Sequence, residues 1–154
     1  MFLKPVSEKE VINIVTKFKN GSAGWDGVFA KTIKPIKYII VSPLTHICNL
    51  SFCNGVFPKE LKLASVIPLF KGGDDSLFTN YRPVSVLPIF SKLLERLMYD
   101  RLYDFIDKHQ VLYDYQCGFR TLYSTYMAIL TLQERVSNAL ENGEHVIGIF
   151  FQGI

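Results

Sequence analysis

Apolar positions along this chain come in two patterns, some at helical spacing and some as short unbroken runs. Val11, Ile12, Val15 and Phe18 fall on one helical stripe. Ser7-Glu8-Lys9-Glu10 precedes it as a capping box, in which the Ser7 hydroxyl takes the Glu10 amide and the Glu10 carboxylate reaches back. Gly21 stops the helix, and residues 21–27 are too glycine-rich for a regular element. Helical patterns resume at about 28–33 and again at about 39–53, with Gly55 as a C-terminal cap. Residues 64–70 predict a short strand, with Pro68 marking an edge or bulge. Residues 71–75 form a turn, and a return strand beyond it is obscured by polar positions. Asn80 to Pro83 is extended, because a residue before proline avoids the helical region.

The longest helix spans about 88–108, with Pro88 in its first turn and an apolar face of Leu93, Leu94, Leu97, Met98, Leu102, Phe105 and Ile106. On its other side Lys92, Arg96 and Arg101 alternate with Glu95, Asp100 and Asp104, a salt-bridged solvated face rather than a phosphate track. A loop containing Gln116 to Arg120 leads to Ser124, which caps a helix ending near Glu141. The run from His145 to Phe151 is short, continuous and apolar, and predicts a strand covered on both faces. Such a strand belongs inside a sheet, yet the sequence stops at Ile154, so the expectation is an α+β, mostly helical domain cut off partway. Two regions are expected, a helical one over 1–60 and a mixed one over 61–154.

Composition narrows the classes. A chain of 154 residues that is 49% hydrophobic can bury a core, which excludes a disordered chain, and no repeat period appears. Its formal charge of +3 permits a polyanionic partner without requiring one. Cys48, Cys53 and Cys117 are odd in number and scattered, which fits buried reduced thiols of a cytoplasmic or nuclear protein better than disulfides or zinc. The N-terminus is too quickly charged for a signal peptide. No charge lies between Lys37 and Lys59, but that stretch carries two prolines, His46 and two asparagines and is too polar for a membrane span. His46, His109 and His145 are isolated, and Ser91 and Ser124 lack a catalytic constellation and suit helix starts or the surface.

Several motifs carry a resemblance. Asn80-Tyr81-Arg82-Pro83-Val84-Ser85-Val86-Leu87-Pro88, with the following Phe90 to Arg96, resembles the early fingers motif of non-LTR retrotransposon reverse transcriptases of the LINE-type, jockey-like group. Gln116-Cys117-Gly118-Phe119-Arg120 with Ser124-Thr125 is similar to the family's QxGFRxxxST motif, although Tyr123 stands where histidine is frequent. Residues 23–27 resemble the SPGxDG loop, 66–74 the strand and turn ending in KxGD, and 146–151 the strand leading to the first catalytic aspartate. These matches run in order along nearly the whole chain.

The resemblance implies the fingers and first palm strand of a right-hand polymerase domain, the partial reverse-transcriptase region being 61–154. The intact family is implied to transfer nucleotides with two Mg2+ ions held by three carboxylates. Here Gln152 occupies the expected first aspartate position, and a neutral amide cannot balance a metal's charge. No catalytic residue, metal ligand or cofactor is therefore expected of this chain, and it is expected to be inactive alone. Asp26, Asp74 and Asp75 suit solvated loops better than substitute ligands. Candidate contacts to an RNA template or RNA/DNA hybrid, or to nucleotide, are Lys71, Tyr81, Arg82 and Arg120. The two arginines could instead pair with internal carboxylates and hold their loops; the resemblance favours binding. Phe119 is expected in the core. Alternatives to a truncated, inactive reverse-transcriptase domain are a non-catalytic RNA- or protein-binding remnant, or a relic without function.

Overall fold

The computed structural model describes residues 4–151. Among these residues four α-helices and two strands follow one another, α1 (Glu8–Lys17), α2 (Ala30–Asn54), β1 (Ser65–Phe70), β2 (Tyr81–Val86), α3 (Ile89–Lys108) and α4 (Thr125–Glu141). They fall into two compact units, one ending at Lys108 and the other starting at His109.

In the first unit α1 packs on α2 and α3. Its capping box forms as expected, the Glu10 amide donating to Ser7 Oγ at 3.3 Å and the Ser7 amide to Glu10 Oε2 at 2.8 Å. Val11 and Val15 then enter a core with Ala30, Ile33, Val41, Cys48, Ile89, Leu93, Leu94 and Leu97. That core draws residues from both sides of position 60. Burial pushes the Cys48 thiol up to about 11, the Arg101 guanidinium pulling it part of the way back, so this sulfur is a packed apolar group rather than a nucleophile. Cys53, by contrast, is exposed and Cys117 half-buried.

The two helical patterns expected at 28–33 and 39–53 are one helix. Pro35 and Pro43 sit inside α2, each removing one backbone donor, and the chain continues through both to a left-handed cap at Gly55 (φ 64°). By length and composition alone α2 is long and apolar enough to cross a membrane. One of its stripes, Ala30, Ile33, Val41 and Cys48, is buried in the core.

Two groups fasten the unit. Arg101, expected on the solvated face of the long helix, turns inward and is only 8% exposed at its side chain. Its guanidinium donates to the carbonyls of Lys4 (2.8 Å), Pro5 (3.2 Å) and Leu97 (3.0 Å), and Nη2 lies 3.3 Å from Glu10 Oε1. Main-chain carbonyls left bare by the N-terminal segment draw it in, which sequence spacing does not reveal. Asn49 completes the clasp, accepting from the Val6 amide and donating to the Val6 carbonyl (2.6 and 3.0 Å). Ser91 lies at a helix start, in the first turn of α3, one of the two places expected for it, but not on the surface. It is 0% exposed and its hydroxyl donates to the Leu61 carbonyl at 2.7 Å, joining α3 to the short turn at Lys59–Lys62.

The return strand that polar residues obscured is β2. It pairs antiparallel with β1, Ser65 opposite Val86 through Phe70 opposite Tyr81. Beyond the last pair the Lys71 amide donates to the Asn80 carbonyl at 2.8 Å. Counting back from that bond, Leu69/Arg82 and Ile67/Val84 are hydrogen-bonded pairs and Pro68/Pro83 is a non-bonded pair. Both prolines therefore sit where an amide would point away from the partner strand, so neither breaks the ladder and each interrupts an outer edge.

In the second unit Ser124 caps α4 through the Met127 amide, as expected. The apolar run at 145–151 does not join a ladder. It is irregular and exposed, Ile147 at 87% and Phe151 at 93%. A strand exists only against a partner, and no third strand lies beside β1 and β2 among the described residues. The described architecture is thus mixed, mainly helical, with one two-stranded sheet.

Candidate nucleic-acid interface

The β1–β2 connection carries the first three candidate residues. Gly72 and Gly73 take left-handed φ values (121° and 94°) that bulky residues avoid, and the chain turns there. Polar groups of the loop then satisfy one another. The Asp74 carboxylate accepts from the Ser76 hydroxyl (2.7 Å) and amide (2.9 Å), which together hold its pKa below the ordinary value. Asn80 Nδ2 donates to the Asp74 carbonyl at 2.7 Å. The Tyr81 hydroxyl donates to the Asp75 carbonyl at 2.9 Å, and its ring leans on Phe70 with centroids 5.4 Å apart. Tyr81 is therefore an anchor of the loop, and its ring already has a neighbour.

Register separates the three candidates. Residues 67, 69 and 71 share a face of the hairpin with 80, 82 and 84, so Lys71 and Arg82 are diagonal neighbours, roughly 7–8 Å apart at their backbones. Tyr81 lies on the opposite face with Phe70. Both cations are exposed, and neither forms an ion pair among the described residues. An ammonium and a guanidinium facing solvent without a carboxylate are chemically suited to phosphate oxygens, the first as a point charge and the second as a bidentate donor.

Arg120 belongs to the second unit. Its Nη1 donates to the Tyr113 carbonyl at 3.2 Å and its guanidinium stands 4.2 Å from the Tyr123 ring centroid. It therefore holds its loop, through a carbonyl and a ring rather than the carboxylate considered above. Nearby Arg135 lies over Tyr115 at 4.4 Å. Phe119 is not in a core: it is fully exposed, with φ of 59°. No buried residue appears on α4 to receive it, and a left-handed backbone turns the ring outward.

Among the described residues no group of three or more His, Cys, Asp or Glu side chains is placed to hold a metal ion. Asp26 accepts from the Val28 amide at 3.2 Å in a local turn, and Asp74 is engaged by Ser76. Gln152 lies outside the described residues. The described acids do not fit the paired-magnesium site that the resemblance implies.

No protein-family profile matches the chain. Individual proteins do. The RNA-directed DNA polymerase from mobile element jockey of Drosophila melanogaster is 32% identical over 150 residues, 96% of this chain. The jockey polymerase of Drosophila funebris is 32% identical over 148 residues. The "Probable RNA-directed DNA polymerase from transposon BS" of Drosophila melanogaster is 30% identical over 96% of this chain. The chain is related to the jockey-type retrotransposon RNA-directed DNA polymerases. It spans only 16–17% of the length of these relatives. The chain carries Lys71, Tyr81 and Arg82 on one hairpin and Arg120 on a separate unit. Two residues important to its architecture, Arg101 and Ser91, carry no sequence signal because most of their partners are main-chain carbonyls and the Glu10 carboxylate lies far off in sequence.

Proposed function

We propose that this chain is the fingers-side part of a jockey-type RNA-directed DNA polymerase, with the first palm strand near its end, and that it contacts the phosphate backbone of RNA without catalysing nucleotide transfer by itself. Residues 1–60 are the helical region that precedes the fingers, and 61–154 the partial polymerase domain. The observation that supports this reading best is the exposed pairing of Lys71 and Arg82 on one hairpin face within a segment collinear with such polymerases over 96% of its length. Arg120 contributes by shaping its own loop. No cofactor is assigned to the chain, and a cytoplasmic or nuclear location away from membranes accords with this use.

The test is binding of a fluorescein-labelled single-stranded RNA measured by anisotropy across a salt series. Affinity is expected to fall steeply with salt, and Lys71→Gln with Arg82→Gln to lower the log–log slope by about 1.4, the share of two phosphate contacts on a single strand. A slope unchanged by this pair would remove the hairpin from the interface.

A further inference from the structure

The end of α1 and the start of α3 are 75 or so positions apart in sequence, roughly half a domain of the usual size, yet they line the same cleft. One cavity of about 340 Å³ is bordered by Phe18, Lys19, Ser22 and Lys92, and an adjoining one of about 390 Å³ by Asn13, Lys17, Phe18, Lys92 and Arg96. Phe18 and Lys92 belong to both, so the two form one open groove. Four cations line it and no carboxylate does. Arg96 shares its charge with Asp100 at 3.0 Å, whereas Lys17, Lys19 and Lys92 form no ion pair among the described residues. The alternating charges of α3 therefore do not describe its first turns, because Lys17 at the end of α1 and Lys19 just beyond it are brought to them.

We infer that this groove is a second binding surface for the phosphate backbone of single-stranded RNA, distinct from the β1–β2 hairpin. The inference rests on the proposed RNA contact for its ligand but on separate residues for its site. With Arg96 paired to Asp100, Lys17, Lys19 and Lys92 remain as unpaired like charges along the cleft, and a polyanion relieves their mutual repulsion while releasing its own counterions. Phe18, half-buried at the junction with its side chain against the core, gives the groove a firm apolar wall; Asn13 and Ser22 add neutral hydrogen-bonding groups. A small metabolite would need enclosure, and the groove is open, which favours a chain-like ligand running along it.

The experiment compares three variants of the full chain with the same labelled RNA and salt series. Lys17→Gln/Lys19→Gln/Lys92→Gln is the groove variant. Lys9→Gln/Lys59→Gln/Lys62→Gln removes equal charge elsewhere, and Lys71→Gln/Arg82→Gln is the hairpin variant. Circular dichroism melts check that each is folded, and backbone amide shifts on RNA addition locate contacts in the unaltered chain. The inference expects the groove variant to lower the salt slope by about 2, the equal-charge control to change it little, and shifts at residues 17–22 and 92–96. An equal effect of control and groove variants overturns it, as do shifts confined to 71–82. If the groove variant acts and the hairpin variant does not, the groove stands and the hairpin reading falls. An unaltered chain that binds no RNA overturns both.

Discussion

Arg101 shows how far one side chain can be committed. Buried in the first unit, it satisfies three main-chain carbonyls and the Glu10 carboxylate, and its guanidinium lies 5.5 Å from the Phe52 ring centroid. Arg101→Ala would take the donor from the Lys4 and Pro5 carbonyls and the counter-charge from Glu10, and is expected to destabilise the chain by about 2–4 kcal/mol, read as a lower denaturant midpoint. Its partner supplies a pH dependence. Burial alone would raise the Glu10 carboxyl, but hydrogen bonds from the Ser7 amide and hydroxyl and the charge of Arg101 outweigh it and hold the pKa below its ordinary value of 4.5. A carboxylate whose folded pKa is depressed stabilises the fold fully above its unfolded pKa, and that contribution is lost as pH falls through the folded one. Glu10 is partly exposed, so the gain is small, below about 1 kcal/mol. Glu10→Gln should therefore lower the melting temperature slightly at pH 7 and erase part of its decline below pH 4.5; a parallel decline in both proteins would exclude Glu10 from the acid response.

Among the elements, a glycine loop decides how α3 is approached. A Cβ on Gly24 would lie 2.6 Å from the Pro88 nitrogen and 2.7 Å from its Cα, and neither backbone atom can yield as a flexible side-chain tip would. Gly24→Ala is expected to cost about 1–3 kcal/mol through overpacking. Gly21→Ala, with nothing within 4 Å of the added carbon, should be neutral or mildly stabilising. Calorimetric midpoints of the two variants check the contrast. Local signals made most elements legible beforehand: the Ser7 box, the β1 run, the Pro88 start and the Ser124 cap are all encoded within a few residues. Signals that depend on distant partners were not. The gap left between the helical patterns at 28–33 and 39–53 is closed by one continuous α2, and polar Asn80, Arg82 and Ser85 hid β2 until β1 paired with it. The continuous apolar run at 145–151 predicted a strand, but a run states only what its side chains avoid, not which backbone completes its ladder. Of the candidate interface, Lys71 and Arg82 were legible as motif residues; their shared face followed only from register, and the lysines of the α1–α3 groove were invisible because no spacing rule joins residues 17 and 92.

At the scale of the whole chain the question is what a segment spanning 16–17% of its relatives can do. Its core gathers in the first unit, while apolar side chains on both hairpin faces stay in water, Val66 at 62%, Ile67 at 45% and Leu69 at 57%. A two-stranded hairpin bare on both faces is marginal by itself, so the element that presents Lys71 and Arg82 has little rigidity of its own. Nucleotide transfer asks for more than a grip on the template. Two magnesium ions need several anionic oxygens fixed together, since each ion favours hard, charged ligands and holds near-octahedral geometry. Gln152 offers an uncharged oxygen, Asp26 and Asp74 serve their own turns, and no group of three or more His, Cys, Asp or Glu among the described residues is placed to hold a metal. Primer extension by the purified chain, on a homopolymer RNA template with Mg2+, is expected to give no product above a buffer blank. Gln152→Asp should leave it at blank level, because one carboxylate cannot hold two ions. Extended product from the unaltered chain would refute the inactive reading outright, and product from Gln152→Asp alone would mean that the remaining metal ligands lie within these 154 residues after all.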